Sequence, residues 1–242
     1  MSLFKRKNDE ENWLSVSDLM AGLMMVFLFI SIIYSKDAEQ RSRNVTEVVN
    51  EWQDNEVRIY NALTKEFKND LVRWNAEIEK ETLLIRFNSP EVLFQQGEAE
   101  LQERFKVILQ DFMPRFLNLL HSKFKENISE VRIEGHTSSD WKGKETKEAF
   151  IKNMELSQER TRKVLEYSLN LKNVDKISDW TTKTLSANGL SSSKLILKKE
   201  GDLWIENKQA SRRVDFAIRT KTKEALFRIL DKISGGGIDQ GF

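Results

Sequence analysis

The residue with the most chemistry to offer in this chain is an aspartate set inside an apolar run. Asp18 lies near the start of Trp13 to Tyr34, WLSVSDLMAGLMMVFLFISIIY, a stretch long enough to cross a bilayer. A charged aspartate within a membrane helix costs about 2.5 to 3.5 kcal/mol even on the lenient insertion scale, so such residues usually mark an ion or proton path. A carboxylate withdrawn from water takes up a proton readily and releases it when a wetter path opens. Ser15 and Ser17 stand close enough in sequence to hydrogen-bond or hydrate the group. Asp18 is therefore the candidate ion-binding residue.

Two plainer readings of the run fail on length and pattern. If Asp18 only capped the helix, the remaining Leu19 to Tyr34 would span about 24 Å, against about 30 Å of hydrocarbon. A cleaved signal peptide needs a small-x-small cleavage site, which Ser35-Lys36-Asp37-Ala38 does not supply. The expectation is an uncleaved single span over residues 13–34, with Trp13 and Tyr34 as interface anchors. Lys5, Arg6 and Lys7 keep the short tail of residues 1–12 cytoplasmic, which puts everything after the span in the periplasm of a double-membraned bacterium. The chain has no cysteine, so disulfides and thiolate metal sites are excluded. A formal charge of +1 gives no global reason for nucleic-acid binding.

Ser17-Asp18-Leu19-Met20, followed by Leu23-Met24 and Phe27-Leu28, resembles the membrane helix of MotB-type subunits of ion-driven stators. That resemblance implies that Asp18 takes ions from a surrounding ring of MotA-type subunits, and that two copies of the chain work as a pair.

The elements that must position this chemistry follow along the chain. Residues 35–81 are rich in charge and free of Pro and Gly, which suits a long helical connector. Val45, Val49, Trp52, Tyr60, Leu63, Phe67, Leu71, Trp74 and Ile78 form a stripe at spacings of three and four, interrupted at Glu56. A parallel coiled coil would bury so narrow a stripe; a helix packed on its own domain is the alternative. From Thr82 onward the pattern is α+β. Strands are expected at Leu83 to Phe87, Val131 to Glu134, Leu185 to Ala187 and Val214 to Ile218. Helices are expected at Glu98 to Ser122, kinked or split by Pro114, and at Met154 to Leu171. Gly189 and Gly201 suit turns, and Lys198, Lys199 and Lys208 read as solvated surface. Ala225 to Ile233 reads as a short amphipathic helix, and Gly235-Gly236-Gly237 as a release into a tail.

Ile133-Glu134-Gly135-His136-Thr137, then Asn153-Met154-Glu155-Leu156-Ser157-Gln158-Glu159-Arg160, then Ser211-Arg212-Arg213-Val214, resemble in order and spacing the signature of OmpA-like peptidoglycan-binding domains. The resemblance covers most of residues 83–220 and implies an OmpA-like α/β sandwich over 82–222. It also implies that Arg160 grips a carboxylate of the cell-wall diamino acid, as a planar two-pronged donor does well. Asn153 and Arg213, in the same motifs, are carried over as peptidoglycan-binding candidates. The family aspartate that takes the ammonium end is missing. Ser138 stands in its place and the nearest carboxylate is Asp140.

No nucleophile elbow, phosphate loop or paired-carboxylate site appears, so no enzyme activity and no cofactor are expected. His136 has no cluster of ligands around it in sequence and reads as a loop-positioning residue rather than a metal ligand. The short chain, the proline-free connector and Gly135-His136-Thr137-Ser138-Ser139 together resemble the ZorB family of Zorya antiphage defence more than flagellar MotB. That implies a ring of five ZorA-type subunits around two copies of this chain, with proton flow driving a rotation that reaches cytoplasmic defence effectors. A flagellar stator and a passive OmpA-like anchor are the alternatives. Proton and sodium are not separable from these residues.

Overall fold

The computed structural model describes residues 3–88 and 90–221. The expected helix and tail after residue 222 lie outside the described residues. The chain forms two compact units, one containing the described residues up to Glu51 and the other beginning at Trp52.

The first helix, α1, runs Leu3–Phe67. Within it, Val16–Arg43 is the one stretch among the described residues long and apolar enough to cross a membrane, and Asp18 lies in it. Leu19, Met24, Phe27 and Ile33 are exposed, as a surface meant for a non-aqueous surrounding would be.

The second unit is an α+β domain. Its elements after α1 are α2 (Asp70–Trp74), β1 (Ala76–Glu79), β2 (Leu84–Phe87), α3 (Pro90–Leu93), α4 (Glu103–Phe124), β3 (Ile128–His136) and α5 (Thr146–Leu169). A 3-10 turn at Asp175–Ile177 leads into α6 (Ser178–Thr184), β4 (Leu185–Gly189), β5 (Leu197–Glu200), β6 (Leu203–Glu206), α7 (Lys208–Ser211) and β7 (Arg213–Thr220). The main sheet has the order β1-β2-β7-β3-β4, and β5-β6 form a separate hairpin. The pair β3–β4 is parallel, with α5 in the connection, and the other neighbours are antiparallel.

Alternation decides which face of the sheet is which. Val131, Ile133, Val214, Phe216, Ile85 and Phe87 are buried in the hydrophobic core. Phe216 meets Phe112 and Phe116 of α4 at ring distances of 5.1 and 6.3 Å. The opposite face carries Arg132, Glu134 and His136 on β3 beside Arg213 and Asp215 on β7, in a register that pairs Glu134 with Asp215 and His136 with Arg213.

The connector is where expectation and structure part. Helix α1 ends at Phe67, and β1 already belongs to the sheet, so no helix runs to residue 81. Ile59, Leu63, Phe67 and Trp74 are buried in the domain's own core. The expectation of a coiled-coil seam through Leu63, Leu71 and Trp74 is corrected: this part of the stripe packs on its own domain. Arg115 of α4 fixes the end of α1. It donates to the Glu66 carboxylate at 2.9 Å, to the Glu66 carbonyl at 2.9 Å and to Asp70 at 2.8 Å, and its guanidinium lies 4.9 Å over the Phe67 ring. Partial burial works against its charge, but bonds to Glu66, Asp70 and Asp111 outweigh that and hold it above the ordinary guanidinium range.

Pro114 does not split α4, which continues through it from Glu103 to Phe124. A helical proline removes one ladder bond and costs about 3 kcal/mol. The buried row from Phe105 through Phe116 to Phe124 fixes the helix on both sides of it. Gly201 sits in the β5–β6 turn with φ +63°, as expected, whereas Gly189 is a strand residue and no turn.

Candidate functional site

Two glycines set the position of the helix that carries Arg160. Gly135 and Gly189 are register partners on β3 and β4. A Cβ at Gly135 would lie 2.8 Å from the Ser157 carbonyl oxygen, and one at Gly189 would lie 2.3 Å from the Gln158 nitrogen. Only glycine lets α5 approach the sheet this closely. Ser157 then reaches the loop after β4: the Ser191 N–H donates to Ser157 Oγ at 3.0 Å, and Ser191 Oγ donates to the Phe150 carbonyl at 2.7 Å. The same loop accepts from the Thr137 N–H at 2.9 Å. The chain leaving β3 at His136 is thereby fixed against the chain leaving β4.

That arrangement opens a cleft of about 760 Å³ between the loop Thr137 to Trp141, the first half of α5 and the Gln96-Gly97 turn. Arg160 projects into it from α5 and is only 7% exposed. Its Nε donates to the Glu98 carbonyl at 2.8 Å and its Nη2 to the Gln95 carbonyl at 3.1 Å, with the guanidinium 4.8 Å over the Phe94 ring. Burial, and then repulsion from Arg212, pull it down to about 10. Neutral carbonyls orient this cation without answering its charge. Among the described residues no carboxylate pairs with it, so its charge is left free to meet an anion.

The other expected residues fall on both sides of this line. Asn153 is buried in the cleft and donates to the Asp140 backbone carbonyl at 3.1 Å, so it shapes the loop. Ser138 lines the cleft and is buried. Asp140 also lines it, but its carboxylate stands 2.5 Å from Lys208 Nζ. Arg213 is not brought to the cleft. It lies on the other face of the sheet, donating to Asp215 at 2.9 Å and to the Lys194 and Ser211 carbonyls. Its neighbour Arg212, just before β7, is the one that lines the cleft.

Two further residues at or beside the cleft have no site role assigned from the sequence, Thr137, which stands in the motif, and Glu206, which stands in none. Thr137 Oγ1 is buried at the cleft without a hydrogen-bond partner among the described residues. Glu206, at the end of β6, accepts from the Ser139 N–H at 3.0 Å and from Ser139 Oγ at 2.5 Å, which ties the hairpin to the cleft loop. The motif Ser211-Arg212-Arg213-Val214 was the available signal for Arg212, since adjacent strand residues face opposite ways.

His136 does not reach the cleft. It is buried on the far face of the sheet, with Nε2 at 3.4 Å from Asp215 and 3.8 Å from Glu134. Asp215 also meets Arg86 at 3.3 Å. Burial pushes the Asp215 carboxyl up, but His136, Arg213 and Arg86 outweigh it and hold the group below the usual carboxylate range.

This fold and cleft define a domain of the OmpA type, and the OmpA family model matches residues 93–213. Along nearly its whole length the chain is similar to the Zorya protein ZorB of Escherichia coli (strain Crooks), with 45% identity covering 94% of this chain and 96% of that one. The chain belongs to the ZorB family and carries an OmpA-family domain. Among solved structures, a putative MotB-like protein from Desulfovibrio vulgaris aligns with a TM-score of 0.48 and 22% identity, covering 70% of this chain and 94% of that one. The periplasmic domain of Helicobacter pylori MotB aligns with a TM-score of 0.43 and 15% identity, covering 65% and 89%.

Proposed function

We propose that this chain is the wall-anchored B subunit of an ion-driven inner-membrane motor that serves antiphage defence. Its N-terminus is cytoplasmic, α1 crosses the membrane once, and the α+β domain is periplasmic. Asp18 carries the ion, passing it between a ZorA-type ring and the chain, with two copies of the chain at the centre of five ring subunits. The Zorya relative supports the defence output, which reaches cytoplasmic effectors through the ring rather than through contact with nucleic acid.

The observation that carries the anchor half is Arg160, a nearly buried guanidinium aimed into a cleft, with carbonyls to orient it and no carboxylate among the described residues to neutralise it. A peptidoglycan stem peptide presents the carboxylate it lacks. Ser138 and the loop held by Asn153 contact the remainder of that ligand. Arg213 supports the sheet beneath. Removing one member of a buried charge-assisted contact costs about 2 to 5 kcal/mol. Arg160→Ala in the full chain is therefore expected to abolish sedimentation with purified sacculi while the circular dichroism spectrum is kept. Retained sedimentation overturns the anchor reading.

A further inference from the structure

The cleft is not electrically balanced. Four cationic side chains, Lys142, Lys144, Arg160 and Arg212, line it against one carboxylate, Asp140. That carboxylate is already occupied, 2.5 Å from Lys208 Nζ. Lys144 is answered by Glu148 at 3.0 Å. Lys142, Arg160 and Arg212 have no carboxylate partner among the described residues. Arg212 is close enough that its charge opposes that of Arg160. An ammonium group entering here would meet uncompensated positive charge, and like charges at short range in a partly desolvated site are repelled strongly. Among the described residues, Thr137 is the lining residue whose buried side-chain oxygen has no hydrogen-bond partner, and its neutral hydroxyl suits an amide or hydroxyl and supplies no counter-charge.

We infer that the cleft selects a dianion, a wall peptide segment that offers two carboxylates while its amines are acylated, over the same segment with free ammonium groups. One carboxylate meets Arg160 and the other Arg212, and an acylated amine, being neutral, sits against Thr137. In chemical terms this is the state of a diamino acid joined in a cross-link rather than one with a free amine. The inference rests on the peptidoglycan reading above and narrows it.

The test is a competition in which the purified full chain, in detergent, sediments with sacculi. N,N′-diacetyl-diaminopimelate and unmodified diaminopimelate are the competitors. Both bring two carboxylates at neutral pH, and only the second brings two ammonium groups. The diacetyl compound is expected to displace the chain at a concentration about tenfold lower or more. Lys208→Ala, which frees the Asp140 carboxylate at the exposed rim, should narrow or reverse that preference, and Arg212→Gln should reduce it. Equal potency, or a stronger effect of the free diamino acid, overturns the inference while sedimentation keeps the anchor reading. A chain that does not sediment with sacculi overturns both.

Discussion

Gly135 and Gly189 are partners across the parallel pair β3–β4, and the backbone of α5 lies over both, so the carbonyl of Ser157 and the amide of Gln158 fill the space where side chains would be. Both obstacles are backbone and cannot swing aside. Gly189→Ala is expected to lower stability to urea by about 1 to 3 kcal/mol, the usual cost of overpacking. Because the same shift displaces Arg160, sacculus sedimentation should weaken in the variant even at temperatures where it is folded. An unchanged urea midpoint contradicts this account of how α5 is placed.

Leu63 separates the two readings of the connector. It is fully buried within its own domain, so Leu63→Ala should cost about 2 to 5 kcal/mol in monomer unfolding. The chain has no native cysteine, so a lone Leu63→Cys substitution reports directly on pairing. It should give no more interchain disulfide under mild oxidation than Val72→Cys, at a residue 88% exposed. Selective crosslinking at residue 63 would restore the coiled-coil seam there.

Asp215 provides a pH signature. Its folded-state carboxyl is held below the ordinary value of 3.8, so its contribution is present above that value and is lost progressively as pH falls from there through the lower folded-state value. Asp215→Asn leaves Arg213 and Arg86 without their shared partner and should cost about 3 to 5 kcal/mol at pH 7. The gap in melting temperature between wild type and variant should then shrink as pH drops below about 4. A gap constant from pH 7 to pH 3 would show that the charge of Asp215 is not what stabilises the cluster.

What was legible in the sequence was what short motifs and long periodicities encode. The rows Leu101 to Leu119 and Val131 to Glu134 announced α4 and β3, and Leu-Ser-Gln-Glu-Arg placed Arg160 on the right helix. Strand β1 was hidden because Ala76 to Glu79 continues the apolar spacing of the preceding helix with no Pro or Gly to break it. The β5–β6 hairpin was hidden because Lys198 and Lys199 resemble plain surface, although Gly201 stood at its turn. Gly189 looked like a turn because a lone sequence does not show a helix backbone lying on it. The Asp140–Lys208 pair joins residues distant in sequence, and only the fold brings them together. The motif carries Arg212 and Arg213 side by side, and residue types alone do not give the face on which each one lies.

The claim that this chain belongs to a working motor rests on Asp18, and one measurement addresses it most directly. If the proposed function holds, the complex of this chain with a ZorA-type ring, reconstituted in proteoliposomes, should conduct protons or sodium down an imposed gradient. Asp18→Asn keeps the shape of the side chain and removes its titration, so the assembled variant should conduct at the level of empty liposomes. Undiminished flux through an intact Asp18→Asn complex would contradict the account.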